Sequence, residues 1–167
     1  MGGEIQVESE PGRGTLFRVV LPAATSRPTS TFPPPTHAPG VRGRILVIDD
    51  EEMILRALTR ILHEHEVRST TSAREALSLL DAGQEFDLVL SDLVMPTMTG
   101  MELYEELLAR HAELAPHVIF MTGGVITPRA SAFLRSVSNP RVEKPFEPAA
   151  LVRLVRALLV DAQCPAR

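Results

Sequence analysis

The feature that most constrains the fold of this chain is a fivefold alternation, between residues 44 and 160, of short extended segments with amphipathic ones. The short segments are RILVID, EVRST, FDLVLSD, HVIFMT and RVEK. The longer ones are ILRALTRILHEH, SAREALSLLDA, MELYEELLARH, PRASAFLRSV and PAALVRLVRALLV. ILVI and LVL are apolar without alternation, a pattern that suits strands covered by helices on both faces of a sheet. The pattern therefore predicts five βα units and an α/β fold with a doubly wound, five-stranded parallel sheet. In the last helix Leu151, Leu154, Val155, Leu158 and Leu159 share one stripe opposite Arg153 and Arg156, which marks a core-facing side.

Two further segments precede this region. Residues 22–42, PAATSRPTSTFPPPTHAPGVR, are crowded with Pro, Thr and Ser and show no apolar period, so they are expected to be a linker. Its three consecutive prolines favour extended polyproline geometry, giving a reach of roughly 60 Å at about 3.1 Å per residue. Residues 1–21 contain EIQVESE, the turn sequence PGRG and TLFRVVLP, the signature of a β-hairpin. A lone two-stranded hairpin is marginal in water, and Ile5, Val7, Leu16, Phe17 and Val19 need a surface to cover them. The chain is thus expected to begin inside a domain, with a hairpin remnant at 1–21, a Pro-rich linker at 22–42 and a complete domain at 43–161.

The composition excludes several classes. With 44% hydrophobic and 23% charged residues among 167, the chain can build one ordinary core. The net charge is −4, and no Lys/Arg block interleaves with aromatics, so neither nucleic acid nor a basic membrane surface is indicated. No apolar run is long enough for a bilayer, and MGGEIQVESE lacks the basic and apolar regions of a signal peptide. The single cysteine, Cys164, cannot form an internal disulfide, which fits a reducing compartment. A soluble, cytoplasmic location is expected.

In an open doubly wound sheet, ligands bind at the carboxyl ends of the strands, near the point where strand order reverses. Those ends carry Asp49 and Asp50, Asp92, Thr122, and Lys144 followed by Pro145. Each alone has an ordinary role: the aspartates as helix caps, Thr122 as a turn residue before Gly123 and Gly124, Lys144 as a solvated lysine. Together they demand more. Three carboxylates near one point repel by about 4 kcal/mol per close pair at an effective dielectric constant of roughly 20, and one ammonium does not compensate them. A site of oxygen donors with few protein ligands suits Mg²⁺. A carboxylate nucleophile, a divalent cation, a hydroxyl and an ammonium are the parts that phosphoryl transfer uses.

The segments ILVIDDEE, DLVLSDLVMPTMTGMEL, VIFMTGG and VEKPFEPAAL resemble, in order and spacing over residues 44–160, the receiver domain of bacterial two-component response regulators, a flavodoxin-like fold. The resemblance implies that Asp92 is the phosphoacceptor, taking its phosphoryl group from a kinase phosphohistidine as an acyl phosphate. It implies that Asp50, Asp92 and the backbone carbonyl of Val94 hold Mg²⁺, with Asp49 positioning it. Thr122 and Lys144 would bind phosphoryl oxygens, and the Lys144–Pro145 bond would be cis. Such a domain promotes its own phosphorylation and dephosphorylation. Residues 1–21, GGEIQVESEPGRGTLFRVVLP, resemble the C-terminal end of a histidine-kinase ATP-binding domain. With no asparagine box, ATP lid or phosphodonor histidine, this segment is not expected to bind ATP or act as a kinase. The whole is similar to the tail of a hybrid histidine kinase. The implied partners are the catalytic and dimerisation domains of such a kinase, or a histidine phosphotransfer protein.

The sequence departs from the family at Arg141, where Tyr or Phe commonly stands three residues before the lysine. An unpaired arginine is costly to bury, so Arg141 is expected to stay outward, and Tyr104 on the third helix is expected to be a packing residue. A phosphorylation-independent interaction module is the main alternative, with Arg141 in its favour. A phosphatase with an aspartate nucleophile fits less well, because VIDDEE lacks the Asp-x-Asp spacing. His63 and His65 lie two apart, on different helix faces, and are expected to be a solvated helix end rather than a metal pair.

Overall fold

The structure is a computed structural model that describes residues 3–20, 22, 41–124 and 127–163. Most of the expected linker, residues 23–40, and Cys164 lie outside the described residues. The chain divides into two compact units near residue 38.

The first unit is the expected hairpin. Strands β1 (Glu4–Glu10) and β2 (Gly14–Val20) pair antiparallel, with Ile5 opposite Val19, Val7 opposite Phe17 and Ser9 opposite Thr15. The turn closes through the Arg13 amide, which donates to the Glu10 carbonyl at 3.0 Å, and Gly12 supplies a φ of 80° that a side chain would resist. The period of two puts Ile5, Val7, Phe17 and Val19 on one face, and all four remain more than half exposed.

The second unit contains the predicted five βα pairs: β3 (Arg44–Ile48), α1 (Glu52–Ile61), β4 (Glu66–Thr70), α2 (Ala73–Asp81), β5 (Leu88–Asp92), α3 (Gly100–Arg110), β6 (Val118–Gly123), α4 (Pro128–Ser136), β7 (Arg141–Lys144) and α5 (Pro148–Gln163). A short 3-10 turn, Ala115–His117, precedes β6. All sheet pairs are parallel, in the order β4-β3-β5-β6-β7. Strand alternation explains the uniformly apolar strands. Leu46 and Ile48 enter a core with α2, α3 and α4, while Ile45 and Val47 enter another with α1 and α5.

Local chemistry fixes the helix starts. Ser72 caps α2 by accepting the Glu75 amide, Thr99 and Glu102 form a reciprocal capping box on α3, and Thr127 caps α4 ahead of Pro128. The sequence places α1 at 54–65, whereas the helix runs from Glu52 to Ile61. The HEH segment instead forms a turn: His63 is exposed, but His65 is half-buried and its Nδ1 accepts the Gly43 amide at 3.4 Å. Tyr104 packs edge-on against Phe120 and Phe133, with ring centroids 5.5 and 5.7 Å away, the packing role expected for it.

Gly100 opens α3 directly against β5, where a Cβ would collide with the Asp92 backbone carbonyl. A Cβ on Gly43 would meet only the end of the Leu159 side chain. Gly100→Ala is expected to lower unfolding stability by about 1–3 kcal/mol, as overpacking does, and Gly43→Ala by less. Denaturant midpoints check this, and equal losses would contradict a backbone clash at Gly100.

Candidate functional site

The order of the sheet reverses at β3: β4 lies on one side and β5 on the other. Because β3 and β5 are parallel with Ile48 opposite Ser91, the next residues, Asp49 and Asp92, fall side by side at the carboxyl edge. Asp49 is fully buried. Its Oδ1 accepts the Glu51 amide at 3.0 Å and its Oδ2 accepts a hydrogen bond from Lys144 Nζ at 2.6 Å. The same ammonium lies 3.3 Å from Asp92 Oδ1, which also accepts the Leu93 amide at 2.9 Å. Asp50, next in the chain, is exposed, and carboxylate oxygens of Asp49, Asp50 and Asp92 all lie within 4.8 Å of one another.

Thr122, at the end of β6, is buried, and its hydroxyl lies 3.5 Å from the Val142 carbonyl, at the limit of a hydrogen bond. Asp92, Thr122, Lys144, Glu51 and the exposed Val94 line one cavity of about 460 Å³. The Lys144–Pro145 bond is cis, as the resemblance implies. All five polar residues expected at the strand ends therefore stand at this edge.

The electrostatics follow from burial. Desolvation pushes the Asp92 carboxyl above the usual carboxylate range, and the neighbouring Asp49 charge adds to this while Lys144 opposes it. Burial alone would depress Lys144; its hydrogen bond to Asp49 and the charges of Asp92 and Asp49 outweigh that and raise it, so it is a permanent ammonium at neutral pH. Three carboxylates thus face one cation. The donor set is all oxygen, as Mg²⁺ prefers, and the three carboxylates lie close enough together that they could hold one ion. The residues fit that ion.

Sequence reasoning missed the scaffold beneath Asp92. The buried Ser91 hydroxyl donates to the Asp92 carbonyl at 3.0 Å, and the Gly100 amide donates to the Leu93 carbonyl at 3.1 Å. A polar residue inside LVLSD was the available signal for Ser91. Glu51, whose amide holds Asp49, had none beyond its place in an acidic run.

Comparison with known proteins follows the same lines. Residues 45–156 match the family described as "Response regulator receiver domain". The chain is 37% identical over 115 residues to the transcriptional regulatory protein FixJ of Azorhizobium caulinodans, covering 68% of this chain and 53% of FixJ. It is 29% identical over 174 residues to the sensor kinase CckA of Brucella abortus, covering 95% of this chain and 18% of CckA. The chain thus spans about half of one relative and less than a fifth of the other. A CheY-like receiver domain protein crystallised from Methanospirillum hungatei superposes with a TM-score of 0.66 at 27% identity, covering 75% of this chain and 99% of that one.

Two substitutions are expected to shift metal-free stability in opposite directions at neutral pH. Lys144→Met leaves Asp49 buried without its cation and should cost about 3–5 kcal/mol. Asp92→Asn removes a carboxyl whose folded-state pKa is raised, so it should stabilise. That gain is present at neutral pH and disappears as pH falls through the raised pKa, where the native Asp92 also becomes neutral. Unfolding curves with chelator across this pH range test both; a stability loss for Asp92→Asn would contradict the electrostatic account.

Proposed function

Since the chain belongs to the response regulator receiver family, and so carries a receiver domain of two-component signal transduction, we propose that Asp92 is its phosphoacceptor. A carboxylate oxygen of Asp92 attacks the phosphorus of a kinase phosphohistidine; the P–O bond forms as the P–N bond breaks, and the departing imidazole takes up a proton. The observation that carries this reading is the ammonium of Lys144 held 3.3 Å from Asp92 and 2.6 Å from Asp49, beside a third carboxylate. Such a site offers a nucleophile, a fixed positive charge and a place for a divalent ion.

In this reading Asp50, Asp92 and the Val94 carbonyl would hold Mg²⁺, with Asp49 orienting it, and the bound ion would supply neutralisation of charge on the transferred group. Thr122 and Lys144 line the same cavity as Asp92 and would each bind a phosphoryl oxygen. Lys144 is already in place; Thr122 must give up its long contact to the Val142 carbonyl to do so.

The chain would work as the C-terminal part of a hybrid sensor histidine kinase, with residues 1–21 as the end of the ATP-binding domain. The alignment with the sensor kinase CckA supports this, because 95% of the chain is more than the part after the linker can supply. The paired, uncovered strands β1 and β2 fit a piece of a larger sheet. The phosphodonor would be a kinase domain of the same or a partner chain, at a local concentration raised by the linker, or a histidine phosphotransfer protein. No helix among the described residues is long and apolar enough to cross a membrane, and the cytoplasm is the proposed location.

Intact mass after incubation with a small phosphodonor tests the reading. One phosphoryl adduct is expected on the native chain with Mg²⁺, and none after chelation or in Asp92→Asn. Mg²⁺ at a hundredfold excess over its Kd should also raise unfolding stability by about 2.7 kcal/mol, and Asp50→Asn should remove most of that gain. An adduct that persists in Asp92→Asn would displace Asp92 from its role. No adduct, and no beryllofluoride binding, would favour the interaction-module alternative.

A further inference from the structure

The residues that lead into β3 are docked on the domain rather than held away from it. Val41 is half-buried and packs against the core shared by α1 and α5, and Gly43 is buried against the Leu159 side chain of α5. The Gly43 carbonyl accepts the Glu66 amide at 3.0 Å, and the Gly43 amide donates to His65 Nδ1 at 3.4 Å. His65 is placed for this by the turn after α1, in which its own amide donates to the Leu62 carbonyl at 2.9 Å. A half-buried imidazole thus holds down the chain 22 residues earlier.

That hydrogen bond exists in only one protonation state. Nδ1 accepts when the ring is neutral and carries its proton on Nε2; a second proton turns it into a donor facing a donor. The charged and titratable groups around the ring are Glu64 and His63 from the turn, Arg156 from α5 and Arg42 from the lead-in to β3. The one carboxylate among them, Glu64, is already engaged with Arg156 at 3.2 Å. Burial holds the His65 imidazole below its ordinary range; Glu64 opposes this, and Arg156, Arg42 and His63 add to it. A proton on His65 therefore breaks one contact and adds positive charge beside two arginines.

We propose that His65 is a proton-sensitive clasp: neutral, it holds residues 41–43 on the domain, and protonated, it gives up the Gly43 amide and lets them go. Release adds roughly 10 Å of chain, at 3.3–3.6 Å per residue, to the segment in front of the domain. The unfolded chain, with an ordinary histidine, takes up the proton first. The clasp's contribution to stability is therefore full above about pH 6.5 and is lost as pH falls from there through the lowered folded value. Gly43 precedes β3 at the amino edge of the sheet, whereas Asp49 follows it at the carboxyl edge, so the clasp does not depend on the acceptor role of Asp92.

The test is an NMR titration of the full chain from about pH 8 to about pH 5, across the ordinary histidine value. The His65 imidazole is expected to titrate with a midpoint below about 6.5, and the Gly43 amide resonance to move with the same midpoint. Across it, the exchange protection of the Gly43 amide should fall by about fivefold or more, the worth of one ordinary hydrogen bond. His65→Asn, whose side-chain carbonyl accepts without titrating, should keep Gly43 protected throughout; His63→Asn should respond as the native chain does. A His65 midpoint at or above the ordinary value, protection of Gly43 that ignores pH, or an equal fall in His65→Asn would overturn the proposal. The native titration decides alone if His65→Asn does not fold. The phosphoryl adduct, measured on the same proteins, should be unchanged in His65→Asn, which separates a failure of the clasp from a failure of the acceptor chemistry.

Discussion

The ammonium of Lys144 between Asp49 and Asp92 is the interaction on which the site depends. It joins residues 95 apart in sequence, from the edge strand β7 to the end of β3, with β5 and β6 between them in the sheet. The position of Lys144 therefore depends on the assembly of β3, β5, β6 and β7 into one sheet. Once there, it offsets only part of the charge it meets. Asp49 is satisfied by the Glu51 amide and the ammonium, whereas Asp92 retains a disfavoured ionisation and Asp50 faces solvent. The residual negative charge is of the kind that a divalent ion would offset. The same imbalance that costs stability is thus the feature on which the proposed acceptor chemistry rests.

The scaffold keeps that imbalance from collapsing. The Gly100 amide, the Ser91 hydroxyl and the close approach of α3 act on the backbone around Asp92 rather than on its carboxylate. The Leu93 amide and the Lys144 ammonium both meet Oδ1 of the carboxylate, which leaves Oδ2 without a hydrogen bond among the described residues. Two separate cores, one on each side of the sheet, hold the strand ends from both faces.

Much of this was legible in the sequence, because the signals were of the right kind. Uniformly apolar strands such as ILVI report a sheet covered on both faces, and polar residues at their ends report an edge, so Asp49, Asp92, Thr122 and Lys144 could be placed by counting. Alternation likewise marked Ile5, Val7 and their partners as a hairpin. What failed was set by contacts that no local pattern encodes. Helix α1 stops at Ile61 because the following residues turn so that His65 can meet Gly43, 22 residues earlier in the chain. Arg141 was expected to face outward and does. How α4 packs on Phe120 through Phe133 is not revealed by the spacing of PRASAFLRS. Ser91 and Gly100 looked like ordinary strand and loop residues until β5 and α3 were brought together.

The two outer strands carry a further consequence. β4 and β7 are both short and charged: Glu66 and Arg68 are exposed on one, Arg141 and Glu143 on the other. An open sheet offers unpaired backbone groups along each margin, which invite another chain to add a strand. Opposed charges on a four- or five-residue margin make such addition costly, since each added strand would have to match them while desolvating them. If the domain is held on a long tether beside other copies, as the proposed kinase setting implies, its neighbours would be at high local concentration at all times. Margins on which strand addition is costly would let it be crowded in that setting without joining its neighbours into a continuous sheet.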